Sequence, residues 1–129
     1  MMKIVLLLIG GAIGTLGRYS ISGVAHNIYL GTFPIGTMAV NLLGSLFIGF
    51  LWGILDIGNL SVNTRTFLFI GVFGGFTTFS SYALETLTLF KNGDVKFAIG
   101  NVLATNFLGL LFVFVGFIVA KQILHLFNH

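Results

Sequence analysis

The residues of this chain best suited to chemistry are concentrated in one polar stretch inside a long apolar segment. The stretch contains a glycine pair, four hydroxyl side chains and one acid, in the order Gly74, Gly75, Thr77, Thr78, Ser80, Ser81 and Glu85. Glycine and threonine are poor helix formers, so the stretch predicts an unwound turn in a hydrophobic helix. Backbone groups freed at that depth are costly unless they are buried in protein, line a cavity or bind an ion. The alternative is a continuous, kinked helix with self-satisfied hydroxyls.

Further polar side chains lie inside apolar segments, among them Asn41 and Arg18. The amide of Asn41 offers two donors to an anion, although a lone Asn in a membrane more often bonds between helices. Arg18 lies near a segment end, where its stem can stay in hydrocarbon while its head reaches water; we interpret it as structural or as an attractor for anions. An intramembrane acid such as Glu85 is a functional hypothesis, with snorkelling as the alternative. We expect Glu85 to hydrogen-bond Asn101 or Thr105.

The elements that must position these residues are membrane helices. The chain has 129 residues, 57% hydrophobic and 7% charged, with a mean hydropathy of +1.08, whereas soluble domains carry about 25% charged residues. The pattern predicts an all-α membrane protein, one transmembrane domain over residues 1–129. Its predicted spans lie at about 4–25, 35–57, 66–90 and 97–127. The first apolar run continues past Arg18 without a cleavage site, so we interpret it as a retained span rather than a signal peptide.

Small residues recur at helix-packing intervals and predict a compact bundle. They are Gly10 and Gly14, then Ser45, Gly49 and Gly53, then Gly100 and Ala104. The chain has no cysteine, so it has no disulfide or thiolate metal site, and the scattered basic residues form no nucleic-acid stripe.

The basic residues divide equally between the two sides of four spans. Lys3, Arg65 and Lys121 fall on one side, and Arg18, Lys91 and Lys96 on the other. The tie gives the positive-inside rule nothing to act on. It favours insertion in both orientations and an antiparallel homodimer; the alternative is a bias carried by one or two positions.

The segment Gly74–Ser80, with Glu85 after it, resembles the GGxTTFS signature of the small fluoride channels, the Fluc or CrcB family. Two further motifs agree: Gly10-Gly11-x-x-Gly14 leading to Arg18-Tyr19, and Gly36-Thr37-x-x-x-Asn41-x-x-Gly44-Ser45. The four-span length agrees as well, so the resemblance covers essentially the whole chain.

The resemblance implies a passive fluoride channel in the cell inner (plasma) membrane. It implies a third helix broken at its centre and an antiparallel dual-topology homodimer with two pores, which exports toxic fluoride from the cytoplasm. The partners implied are fluoride, sodium, the lipid bilayer and a second copy of the chain. A structural Na⁺ at the dimer centre would be held by the backbone carbonyls of Gly74 and Thr77 from each subunit.

The resemblance also assigns the pore. Asn41 corresponds to the pore asparagine of the second span, and Phe79 and Tyr82 to two aromatic rings. Tyr82 replaces the usual phenylalanine and adds a hydroxyl that could donate to fluoride or bond a neighbour. On span four, Asn101, Thr105 and Gly109 share a face by spacing, but only Thr105 matches the family.

Other polar residues receive weaker assignments. Ser80, Ser81 and Thr37 are further pore candidates. Arg18, Glu85 and Asn101 are expected in the vestibule or in structural roles.

Alternative functions remain to be distinguished. A proton-coupled small multidrug exporter needs an acid in its first span. The acids here are Asp56, Glu85 and Asp94, and none of them lies in that span, which argues against the exporter. A non-conducting scaffold or regulatory subunit does not need the polar break. An enzyme is disfavoured because no nucleophile lies beside a base and an orienting group, and no metal-ligand cluster appears. One subunit of a heterodimeric fluoride channel would carry a charge bias, and the tie favours self-pairing.

Overall fold

In the computed structural model, which describes residues 1–128, the chain is built from helices, and this described part contains no strand. Four helical spans are long and apolar enough to cross a membrane: span one, Met2–Ile28; span two, Ile35–Ile54; span three, Val62–Lys91; span four, Val95–Phe127. The predicted all-α fold with four membrane helices is confirmed. Several bounds differ by up to four residues; the largest differences are that span one ends at Ile28, span two ends at Ile54 and span three begins at Val62.

The turn between spans three and four is a Schellman motif. The helix Phe79–Lys91 is terminated by Gly93, two residues beyond its end, whose φ of 85° lies in the left-handed region that favours glycine. The Asp94 N–H donates to the Leu89 carbonyl at 2.9 Å, and the Gly93 N–H donates to the Phe90 carbonyl at 3.2 Å. These bonds satisfy carbonyls that a helix end leaves free. The turn therefore sends span four directly back along span three.

Span three changes helix type along its length. After Val62–Arg65, the segment Thr66–Val72 is π-helical, and an α-helical turn follows at Phe73–Phe76. Thr77 and Thr78 then adopt extended dihedral angles, with ψ of 160° and 119°, before the helix resumes at Phe79. The span bends only slightly as a whole. The structure thus has a local interruption where the sequence predicts a broken helix, and the full break stays a prediction.

Glycines bring the spans into close backbone contact. A Cβ on Gly49 of span two would overlap the Val113 carbonyl of span four, and a Cβ on Gly116 would overlap the Leu46 carbonyl. A Cβ on Gly14 of span one would likewise overlap the Val72 carbonyl of span three. Helices in lipid associate through such close approach. Spans two and four therefore form one tight pair, and spans one and three the other.

The surface of the bundle is apolar. Large side chains such as Leu8, Ile70 and Phe114 are 68%, 63% and 65% exposed, whereas the buried interior is small and contains Val40, Ala98 and Ala120. A membrane protein needs this distribution, because its spans face hydrocarbon rather than water.

We expect Gly116→Ala to lower the thermal unfolding midpoint of the purified protein. The added methyl meets the backbone of span two, and overpacking of this kind costs about 1–3 kcal/mol. Circular dichroism at increasing temperature in detergent measures the effect.

Gly100→Ala is the matched control, because no atom lies within 4 Å of a Cβ built on Gly100. Alanine is the better helix former by about 1 kcal/mol, so this midpoint should stay level or rise. If the thermal midpoint fell equally in both variants, the close packing of Gly116 against span two would not be the cause of the loss.

Candidate functional site

One side chain of span two holds the interruption of span three. The Thr78 N–H donates to Asn41 Oδ1 at 2.8 Å, and Asn41 Nδ2 donates to the Thr78 carbonyl at 2.9 Å. A single amide thus satisfies both backbone groups of a residue that has left the helix. Hydrocarbon supplies no water to do the same. Among the described residues the Asn41 amide has no second acceptor, so one of its protons remains available.

The helix after the interruption starts afresh at mid-span. The Thr78 Oγ1 accepts from the Ser81 N–H at 3.2 Å, which makes Thr78 the N-cap. The first N–H groups of a helix, here those of Phe79 and Ser80, have no intrahelical acceptor. They give this helix start a partial positive charge. Span three therefore presents donors rather than acceptors at this point.

The four carbonyls of residues 74–77, just before the new helix start, are released from the helical ladder, those of Gly74 and Thr77 among them. In a continuous α-helix the Gly74 carbonyl would accept from the Thr78 N–H, and the Thr77 carbonyl from the Ser81 N–H. Those N–H groups donate instead to Asn41 and to the Thr78 hydroxyl. Gly74 and Thr77 are the residues that the family resemblance assigns to sodium, and that assignment stays a prediction. Residues 1–128 contain no cluster of His, Asp or Glu suited to a metal ion.

A cavity of about 360 Å³, called here the polar cavity, lies between spans two, three and four. Its polar and aromatic lining includes Asn41, Ser45, Phe79, Tyr82, Thr105 and Asn106. The Phe79 and Tyr82 ring centroids are 5.4 Å apart, with the planes inclined at 56°. Tyr82 is buried, whereas Phe79 is 77% exposed. The structure thus brings together Asn41, both predicted rings and Thr105, while the face beyond Phe79 is open.

A second cavity, called here the vestibule, has a volume of about 890 Å³. Arg18, Thr37, Ser81 and Glu85 are among its lining residues. Thr37 Oγ1 donates to Glu85 Oε1 at 2.7 Å, and the other carboxylate oxygen is buried with no partner in the part of the chain described. Arg18 and Glu85 thus line one cavity, and their vestibule role stays a prediction.

The predicted bond from Glu85 to Asn101 or Thr105 is wrong. Asn101 is 1% exposed and lies between spans three and four, where its Nδ2 donates to Thr86 Oγ1 at 2.9 Å. Thr105 Oγ1 donates to Asn101 Oδ1 at 3.2 Å. Asn101 therefore links spans three and four in the buried core, and it does not line the vestibule.

The remaining predicted positions occupy different surroundings. Ser80 is exposed beside Thr78, 3.5 Å from its hydroxyl. Gly109 lies opposite Ser45, whose Oγ is 3.7 Å from a Cβ built on this glycine. Gly109 therefore adds no polar group to the span-four face.

Sequence reasoning missed two roles that the geometry makes plain. Thr78 lines both cavities, while its partner Asn41 lines the polar cavity. Asn106 lines the polar cavity, and its Nδ2 lies 3.0 Å from the Tyr82 hydroxyl. The available signal was a second polar residue directly after Thr105 in an apolar helix.

Comparison with known proteins gives one consistent family. A family model described as CrcB-like protein, Camphor Resistance (CrcB), matches residues 5–117. A protein of Parabacteroides distasonis named fluoride-specific ion channel FluC is 52% identical over 124 residues, covering 96% of this chain and 97% of its own. Proteins of the same name from Dehalococcoides mccartyi and Pyrococcus horikoshii are each 42% identical, over 116 and 120 residues. They cover 88% and 92% of this chain, and 88% and 96% of their own length.

We expect Asn41→Leu to destabilise the interruption of span three. The change leaves the Thr78 N–H and carbonyl without their partners, at about 1–3 kcal/mol for each buried group. Hydrogen–deuterium exchange should show faster exchange in the peptides that contain Thr78 and Phe79, together with a lower thermal midpoint.

Ser45→Ala is the control on the same helix. The Ser45 hydroxyl donates to the carbonyl of Asn41 within span two, so its loss should leave exchange around Thr78 unchanged. If Asn41→Leu exchanged at the same rate as the wild type around Thr78, the Asn41–Thr78 hydrogen bonds would not be what stabilises the interruption.

Proposed function

This chain belongs to the CrcB-like family, and we propose from that premise that it is a fluoride-specific ion channel. The relatives from Parabacteroides distasonis and Pyrococcus horikoshii, which align with this chain over almost their full length, are named fluoride-specific ion channels. The channel lets fluoride leave the cytoplasm passively through the cell inner membrane and so lowers a toxic internal concentration. Four apolar spans support a multi-pass membrane location.

The observation that carries the proposal is the chemistry of the polar cavity. Its lining has donors but no charged side chain among the described residues. Fluoride is small and strongly hydrated, so its path must replace water with donors. The free Asn41 proton and the Phe79 and Ser80 N–H groups can do this at the helix start. An ion must also leave again, which a fixed positive charge at this point would hinder.

The aromatic rings have a compatible role. The edge of an aromatic ring is the positive part of its quadrupole. Phe79 and Tyr82 can therefore face an anion without holding it as a cation would. Arg18 in the vestibule would supply the attraction that first draws an anion in, and Glu85, whose Oε1 accepts from Thr37, lines the same cavity.

The active form we propose is an antiparallel homodimer with two pores. Phe79, Ser80 and Asn106 are exposed on the single chain. Polar groups at membrane depth require a protein partner or a water-filled cavity. The equal division of basic residues allows a second copy to insert in the opposite orientation. That copy would cover the open face of the polar cavity and bring the interruptions of both third spans together.

Sodium fits the same arrangement as a structural ion. The Gly74 and Thr77 carbonyls are released from helical bonding, and unwound carbonyls bind cations in membrane proteins. Two subunits related by a two-fold axis would supply four oxygens. Bound Na⁺ would neutralise these acceptors and tie the two third spans together.

A proton-coupled multidrug exporter is the other candidate with this size and topology. Its coupling requires an acid in the first span, and Met2–Ile28 contains neither Asp nor Glu. No observation on the described residues favours it over the channel.

Liposomes that contain the purified protein test the function. Liposomes loaded with potassium fluoride and suspended in potassium-free buffer should release fluoride rapidly once valinomycin is added, because valinomycin lets potassium leave with the anion. A fluoride electrode follows the release. Liposomes loaded with chloride should retain their content. Release of both anions, or of neither, by a folded dimer would contradict the proposal.

The dimer and its sodium ion predict a cation-specific stability. The purified protein should run as a dimer, and its thermal midpoint should rise when Na⁺ replaces N-methyl-D-glucamine at constant ionic strength, because only a bound ion stabilises by mass action. A monomer in Na⁺ would exclude the homodimer; a dimer with equal midpoints in both cations would exclude the sodium site.

A further inference from the structure

Two polar side chains of the polar cavity form a pair whose role goes beyond lining it. Asn106 of span four and Tyr82 of span three meet with 3.0 Å between Asn106 Nδ2 and the Tyr82 hydroxyl oxygen. The same Nδ2 lies 2.7 Å from the Val102 carbonyl. The inference drawn from this pair rests on the proposed fluoride conduction and concerns how the cavity recognises the anion.

The second contact determines the direction of the first. The Val102 carbonyl is only an acceptor, so the Asn106 atom that contacts it must be the amide nitrogen. That nitrogen has two protons, one for Val102 and one for Tyr82. The Tyr82 oxygen is therefore the acceptor in its bond with Asn106, and the phenolic proton must point elsewhere.

The phenolic proton has no acceptor among the described residues. Tyr82 is 7% exposed, and its ring is held against Phe79 at 5.4 Å. Both Tyr82 and Asn106 line the polar cavity. A donor left unmatched in such a place is unfavourable, and hydrogen bonds to ionised acceptors are the stronger ones. The pair is thus arranged to present one donor to whatever occupies the cavity.

We propose that the Tyr82 hydroxyl is a fluoride ligand in the polar cavity and that Asn106 positions it. Asn106 occupies the oxygen as a donor, so the hydroxyl can offer only its proton to the ion. Fluoride is the halide that accepts hydrogen bonds most strongly, and it gains more from this donor than chloride does. Tyr82 therefore contributes to affinity and to selection, whereas Asn106 acts through Tyr82.

The test measures fluoride flux against fluoride concentration for the wild type, Tyr82→Phe, Asn106→Leu and the double variant. Tyr82→Phe keeps the ring and removes only the hydroxyl. Loss of a hydrogen bond to a charged group should raise the half-saturating fluoride concentration about tenfold or more. Asn106→Leu should act in the same direction. The double variant should be no worse than Tyr82→Phe alone, because the two residues share one function.

Each alternative has its own result. A wild type without fluoride flux would overturn the proposed function itself, before any variant is compared. A conducting wild type with unchanged half-saturation in Tyr82→Phe would overturn the ligand assignment. A lower thermal midpoint with unchanged half-saturation would show the pair to be structural only. Additive effects in the double variant would separate Asn106 from Tyr82 and overturn the positioning role.

Discussion

The pair of hydrogen bonds between Asn41 and Thr78 is the interaction on which the rest of the site depends. It allows two residues of span three to leave helical geometry inside hydrocarbon, where unsatisfied backbone groups are prohibitively costly. Because Asn41 takes both backbone groups of Thr78, the Thr78 side chain is free to cap the next helix. One span thereby acquires a new helix start, with its donors, and a set of released carbonyls just before it along the chain.

Charge and polarity are divided along the path accordingly. The vestibule is lined by Arg18 and by Glu85, which accepts a hydrogen bond from Thr37, whereas no charged side chain among the described residues lines the polar cavity. Attraction and passage are thus assigned to different places. In the proposed channel, an ion drawn in by Arg18 would meet no fixed positive charge in the polar cavity, which favours its passage. The close glycine contacts of the spans keep these places in register.

Local properties were predictable from the sequence, and partners across space were not. Span composition predicted four helices, and the poor helix formers from Gly74 to Thr78 located the interruption. Glu85 was placed beside the wrong partner, since the rotation of span three about its axis directs it toward Thr37 of span two. Asn106 was missed because its role depends on a contact with Tyr82, 24 residues away. Motif resemblance supplied what periodicity could not, namely which polar residues share one path.

The most direct measurement of the central claim is the reversal potential of wild-type protein in a planar bilayer. A tenfold fluoride gradient, with symmetric chloride and sodium and an impermeant anion replacing fluoride on the dilute side, should give a current that reverses near the fluoride equilibrium potential, about 59 mV. A donor-lined, uncharged path that selects fluoride predicts that value. If the protein conducts but its current reverses near zero, then chloride or sodium carries the current, and this result would contradict the account.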